Sequence, residues 1–291
     1  MTGPRNPYFY DLLGVLRIRR QSCRPTAHLY TGQVVPMTEQ FPSAAHTDDT
    51  ITRHLCMAAD VEQYSRLDTP GQEAVQADLV CVLEEAAMLS GLDRSHWQRQ
   101  PQGDQEFAVL PLETPELVVL GGFVRNLAVK LGERNANTGE SERMRLRLAI
   151  DFGVARAAAL GYSGPAPVSV ARYLNAPQLK RVLAGVESTD LALIVSDRVY
   201  QDVVRLRGEA QSLDPLRYLR VHVSQKEFSG YGWIHVPEHT PKELEPLVKE
   251  SSSEPGARVA APAPTHVVKR NKNGVFHFGS GDAARRINKK H

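Results

Sequence analysis

Cysteine is scarce: Cys23, Cys56 and Cys81 are the only three in 291 residues. The number is odd and no pair has metal-ligand spacing, which argues against a disulfide framework or a cysteine metal cluster. Reduced thiols, as in a cytoplasmic protein, are the simplest expectation. Long apolar runs are missing as well. None reaches the roughly 20 residues of a membrane span, and the N-terminus lacks the uninterrupted apolar core and cleavage pattern of a signal peptide. Charge of one sign is not in excess, with 35 Lys and Arg against 33 Asp and Glu and a formal net charge of +2. The whole-chain balance therefore gives no argument for nucleic-acid or membrane binding. No internal repeat stands out. What remains is the composition of a soluble globular protein, long enough for one large domain or two small ones.

The chain divides by composition. Residues 1–49 form a leader. Within it Tyr8 to Arg20 (YFYDLLGVLRIRR) is a short amphipathic segment with a basic end, suited to docking on its own domain, on a partner or on a membrane surface. Pro, Ser, Thr and Gly dominate from Arg24 to Ala45. A folded domain is expected over 50–237, a Pro-, Ser- and Ala-rich linker over 238–264, and a basic tail over 265–291. The tail contains Val275-Phe276-His277-Phe278, a β-prone peptide that could add to a partner's sheet or self-assemble. Its basic residues also suit an acidic partner or nucleic acid.

Inside the domain, periodicity gives a strand over 53–59 and a helix from Pro70 to about Ser90 with Gly91 as its stop. A second helix is expected from about Thr114 to Glu133, a third from about Val168 to Ala184, and a fourth after the cap Ser196. Met144 to Phe152 (MRLRLAIDF) reads as a strand with Arg145 and Arg147 on an exposed basic face. Leu191–Val195, Tyr218–Val223 and Tyr231–Val236 read as further strands. The order is β-α-β-β-α-β-α-β-α-β-β, an α/β (α+β) arrangement with a ferredoxin-like βαββαβ core and an additional C-terminal helix and strands.

The centre of that order is a hairpin, Trp97 to Leu110, reading WQRQPQGDQEFAVL. Gly103 suits a turn that needs positive φ, and the turn presents Asp104 at its tip. The strand before it ends in Asp60. If the two lie side by side, the carboxylates repel unless a cation joins them, and Mg²⁺ is the usual partner of few carboxylates plus phosphate oxygens. Two aspartates that only satisfy turns meet the same spacing.

The stretch Ala58-Ala59-Asp60-Val61-Glu62-Gln63-Tyr64-Ser65, then a helix, then Gly103-Asp104, resembles the catalytic domain of the class III nucleotidyl cyclases, the adenylate/guanylate cyclase family. That family carries F-x-D-I-x-G-F-[ST] at a strand end and Gly-Asp at a hairpin turn. The resemblance covers about residues 50–237 and lies in order and spacing more than in identity. It implies conversion of a nucleoside triphosphate to a 3′,5′-cyclic nucleotide and pyrophosphate, with two Mg²⁺ or Mn²⁺ ions per site. Asp60 and Asp104 correspond to the metal carboxylates, the Val61 carbonyl to a further ligand, and the backbone around Gln63, Tyr64 and Ser65 to a phosphate cradle. Gln63 stands where the family has glycine.

Val168 to Leu174 (VSVARYL) resembles the family's V-N-x-A-x-R-L segment, with Arg172 at the position of the phosphate-binding arginine. The asparagine position falls on Val168, or on Ser169 in a slipped register. Ser224-Gln225-Lys226-Glu227 resembles V-K-G, which makes Lys226 the triphosphate lysine. Gln100 occupies one base-recognising position, and Tyr162 lies in the segment of the other, where it could stack on a base. In the family the site lies between two catalytic domains, so a head-to-tail homodimer or a heterodimer is implied. The alternative reading is a catalytically degenerate cyclase-homology module that binds nucleotide or a partner and signals through its tails.

Overall fold

The structure, a computed structural model, describes residues 51–139, 142–207 and 213–249. The leader 1–49 and the tail 265–291 lie outside the described residues. Strand β1 (Arg53–Val61) is followed by α1 (Thr69–Leu89), the hairpin β2 (Gln98–Gln102) and β3 (Gln105–Val109), and α2 (Val124–Asn135). Then come β4 (Leu146–Val154), a small separate hairpin β5 (Arg156–Ala158) and β6 (Gly161–Ser163), α3 (Pro165–Leu174) and α4 (Pro177–Gly185). Strand β7 (Leu191–Ser196), helix α5 over 197–207, β8 (Leu219–Gln225), β9 (Phe228–His235) and α6 (Pro241–Val248) complete the order.

Seven strands form one sheet in the order β2-β3-β1-β4-β7-β9-β8. The run β2-β3-β1-β4 is antiparallel throughout, which is the ferredoxin-like core. Strand β7 joins β4 in parallel, the pairing that needs a crossover, here α3 and α4. Helices cover both faces, so the central strands are buried on both sides: every residue of β1 from Leu55 to Val61 is buried. Leu55, Met57, Ala59 and Val61 enter the core with α1 and α2, while Cys56 and Ala58 enter the core with α3 and α4. Local chemistry agrees with the expected boundaries. Asp68 caps α1 by accepting from the Gly71 amide at 2.9 Å, and Gly91 ends it with φ of 70°. Ser196 caps α5, accepting from the Val199 amide at 3.2 Å.

Four expectations are corrected. The third helix is two, because Pro177 has no N–H to continue α3 and instead opens α4. The hairpin β5–β6 was not expected; its strands are three residues each and half-buried or exposed, too short for a periodic signal. The chain after Pro237 does not become linker at once. Thr240 and Glu243 form a capping box, and α6 buries Leu244 while Arg181 of α4 donates to the carbonyls of Leu247 and Val248 at 3.2 and 2.9 Å. Last, Arg145 and Arg147 are not on an exposed face. Their side chains are 14% and 12% exposed, because β4 is covered on both sides and each arginine is held by an acidic partner.

Candidate functional site

The alternation of β1 sends Asp60 to the α3/α4 side, one pleat beyond Ala58. Register puts Asp60 directly opposite Arg147 of β4 on one side and Gln105 of β3 on the other. Arg147 Nη2 donates to Asp60 Oδ2, with both side chains nearly buried. The other guanidinium nitrogens, Nε and Nη1, are buried and have no partner. The tip of the hairpin is tied to the end of β1, since the Val61 amide donates to the Asp104 carbonyl oxygen at 3.0 Å. Asp104 therefore lies within electrostatic reach of Asp60. Burial pushes the Asp60 pKa above the usual carboxylate value; Arg147 pulls it down and Asp104 pushes it up. Lys180 of α4 faces the same pair, its pKa lowered by burial and by Arg147, with Asp60 acting the other way. Two carboxylates and two cations thus converge at the end of β1.

Val61 leads into the segment expected to cradle phosphates. Gln63 takes φ of 61°, so it adopts the left-handed backbone for which the family pattern has glycine. Its side chain accepts from Arg66 Nη1 at 2.8 Å, and the Tyr64 hydroxyl accepts from Gln76 at 2.5 Å. Ser65 is exposed in the short turn that follows. A cleft of about 540 Å³ opens here, lined among others by Val61, Glu62, Gln63, Arg66 and Arg145. Arg145 is already committed to Glu62 at 2.9 Å and to the carbonyls of Thr189 and Val186.

A second set of expected residues meets elsewhere. Gln100 lies across from Phe107, and its amide donates to the Leu160 carbonyl at 3.3 Å. Tyr162 packs on Phe107 with ring centroids 6.2 Å apart. Gln100 and Tyr162 are thereby neighbours across β2 and β6. Gly161 permits this: with φ of 116° it lets the Gln100 amide lie where a Cβ would be.

The α3 residues stand apart from both sets. Val168 is 51% exposed and has no hydrogen-bonding side chain. Ser169 is buried and spent on Asp151, to which its hydroxyl donates, which removes it as a substitute for the missing asparagine. Arg172 is half-buried with Nε unpartnered. Lys226 sits at the β8–β9 turn with φ of 52°, at the opposite edge of the sheet from Asp104. Within one chain, then, Asp60, Val61 and Asp104 come together, Gln100 and Tyr162 come together, and Arg172 and Lys226 join neither set by any contact.

Among the described residues no group of three or more His, Cys, Asp or Glu side chains is arranged to hold a metal ion. Two carboxylates nevertheless fit Mg²⁺, which keeps waters and takes one or two carboxylates plus substrate phosphates. The unpaired Nε and Nη1 of Arg147 fit phosphate oxygens arriving with the ion. Arg147 and Lys180 stand beside Asp60, a neighbourhood that the reading of the sequence did not foresee. No local signal marked Arg147, since only the register of β4 against β1 sets it opposite Asp60.

No protein-family model matches the sequence, and neither does any curated protein. In structure the chain is similar to adenylate/guanylate cyclase catalytic domains at low identity. An adenylate/guanylate cyclase/hydrolase from Silicibacter pomeroyi is 19% identical over 65% of this chain and 99% of its own, with a TM-score of 0.44. The guanylate cyclase domain of RhGC from Catenaria anguillulae, in complex with GTP, is 14% identical over 64% and 96%, with a TM-score of 0.40. The dimeric guanylyl cyclase domain of the RhoGC fusion protein from Blastocladiella emersonii is 12% identical over 63% and 95%, also at 0.40. Values this low carry no argument about activity, which has to be read from the residues. No helix among the described residues is long and apolar enough to cross a membrane.

Proposed function

We propose that the chain is a divergent class III nucleotidyl cyclase acting on a metal–nucleoside triphosphate complex. The observation that carries this is the cluster of Asp60, Asp104, Arg147 and Lys180, with two buried guanidinium nitrogens unpaired. Those donors are available to an arriving phosphate, and each buried donor left unmet costs about 1–3 kcal/mol. A metal–triphosphate complex satisfies both halves at once. Asp60 would hold the metal ion, and Arg147 would turn to the phosphate oxygens. In the reaction the ribose 3′-hydroxyl gives up its proton to solvent, its oxygen bonds to the α-phosphorus, the bond from that phosphorus to the bridging oxygen breaks, and pyrophosphate leaves with the electron pair. The metal, when bound, lowers the pKa of the attacking hydroxyl and offsets charge on the leaving group. Arg172, Lys226, Gln100 and Tyr162 would act from a second copy in a head-to-tail dimer, which accounts for their distance from Asp60 within one chain.

A second reading, a degenerate module that binds nucleotide without turnover, is favoured by α3. Val168 cannot orient a ribose, and Ser169 is committed to Asp151. The deciding experiment incubates the full-length protein with ATP, GTP, CTP and UTP and Mn²⁺, with mass detection of cyclic monophosphates. One cyclic product that disappears in Asp104→Asn is expected. No product from any nucleotide would leave the second reading, and product unchanged in Asp104→Asn would remove the carboxylate assignment.

A further inference from the structure

On the α1/α2 face of the sheet, away from Asp60, a cavity of about 490 Å³ lies between α2 and the C-terminal hairpin. That volume is within the ~300–1,000 Å³ of small-ligand sites. Leu120, Val124 and Ala128 form one wall, and Leu213, Tyr218 and His235 the other. Wide π turns flank both walls. One, Val118–Phe123, contains Leu120 and Gly121 at the cavity. The other, Tyr200–Val204, carries Tyr200, whose ring meets Tyr218 at 5.8 Å and stacks on Trp233 at 3.5 Å. Such turns are rare overall and frequent at functional sites.

The polar groups define what would enter. His235 is stacked with Tyr218, centroids 4.9 Å apart at 23°. Its Nδ1 lies 3.3 Å from the Arg217 carbonyl oxygen. A carbonyl only accepts, so Nδ1 carries the hydrogen, and burial holds the ring pKa below the usual histidine value. Nε2 is then a bare acceptor. Neither Nε2 nor the Tyr218 hydroxyl forms a hydrogen bond among the described residues, and neither is sealed from solvent, so both are open to a molecule in the cavity. The charged side chains lining the cavity are Arg125, Arg217, Asp214 and Glu238, two of each sign, and Arg217 already faces Asp214 at 3.8 Å. An ionic ligand gains nothing from that balance.

We infer that this cavity is a second ligand site, for a neutral, flat aromatic molecule that presents one N–H or O–H donor to His235 Nε2. Indole and N-methylindole are the probes, titrated into the full-length protein and followed by amide and methyl NMR. Indole moves the resonances of Leu120, Val124, Leu213 and Tyr218 and leaves those of Asp60 and Asp104 in place. N-methylindole, lacking the donor, binds about tenfold more weakly, the worth of one hydrogen bond. His235→Phe keeps the stacked wall and removes the acceptor, so it binds both probes alike. Ala128→Phe, at a half-buried position, fills the cavity and loses both. No shifts at millimolar indole in a well-dispersed spectrum, shifts centred elsewhere, or equal binding of the two probes to the unaltered protein would overturn the inference.

Discussion

Asp60 and Arg147 form a directly opposed cross-strand ion pair with side chains 13% and 12% exposed. Opposite charges in contact attract by roughly 5 kcal/mol at an effective dielectric near 20. Most of that only offsets the cost of taking both ions out of water. Removing one partner leaves the other charged and buried, at a cost of about 3–5 kcal/mol. The surroundings make the two single variants unequal. In Asp60→Asn a neutral side chain replaces a carboxylate whose charge burial disfavours, so the loss is the smaller of the two, about 1 kcal/mol. In Arg147→Met, Asp60 faces Asp104 with only Lys180 to counter it, so the loss approaches about 5 kcal/mol. The double variant Asp60→Asn/Arg147→Met carries no stranded charge and recovers to within about 1–2 kcal/mol of the original protein. Urea denaturation followed by circular dichroism and tryptophan fluorescence measures all four members, with coincident transitions and equal slopes required. A loss below about 1 kcal/mol in Arg147→Met, or single losses that simply add in the double variant, would refute the interlocked pair. The same reasoning makes Asp104, at a turn, the safer residue to alter in an activity assay.

Two further outcomes follow from named contacts. The Asp60 carboxyl, followed by its ¹³C shift, titrates above the ordinary aspartate value of 3.8, and Asp104→Asn moves its midpoint down because the Asp104 charge raises it. By linkage the folded state holds this proton more tightly than the unfolded chain. The Asp60 contribution to stability is therefore greatest below pH 3.8 and falls as pH rises through its raised folded value. Arg94 is fully buried, donates to Glu106 of β3 at 2.6 Å and lies 5.3 Å from the Trp97 ring centre. Arg94→Met strands Glu106 and is expected to cost about 3–5 kcal/mol, with hydrogen-exchange protection lost first in the β2–β3 hairpin.

How much of this was legible depended on the length and sidedness of each segment. The order of the core strands, α1 with its Pro70 start and Gly91 stop, and the Gly103-Asp104 turn were all readable, because each has a local physical signature. The break at Pro177 was also written in the sequence, but the apolar positions of α3 and α4 continue across it and read as one helix. Helix α6 was hidden by its Pro- and Glu-rich composition, although Thr240 and Glu243 stand at capping-box spacing. The hairpin β5–β6 offered nothing to read: three-residue strands carry no period.

The cluster at the end of β1 was legible in part, for a different reason. Asp60 and Asp104 are found from sequence because each ends a segment with a recognisable turn. Arg147 is not, since an arginine alternating with leucine in a strand looks solvent-facing until both faces are known to be covered. Its meaning comes only from register, which sets it opposite Asp60. The departures from the family pattern also separate once seen in place. Gln63 departs in side chain but not in backbone, for it takes the left-handed conformation the glycine would, at a cost of about 1 kcal/mol that the loop absorbs. Val168 departs in chemistry, and its neighbour Ser169 cannot replace it while bonded to Asp151. The carboxylate half of the proposed site therefore has groups that suit metal–phosphate binding, whereas α3 offers no ribose-orienting amide at Val168 or Ser169. In the proposed function, nucleotide binding rests on the first half and turnover on the second, so product formation, not binding, separates a slow cyclase from a nucleotide-binding module.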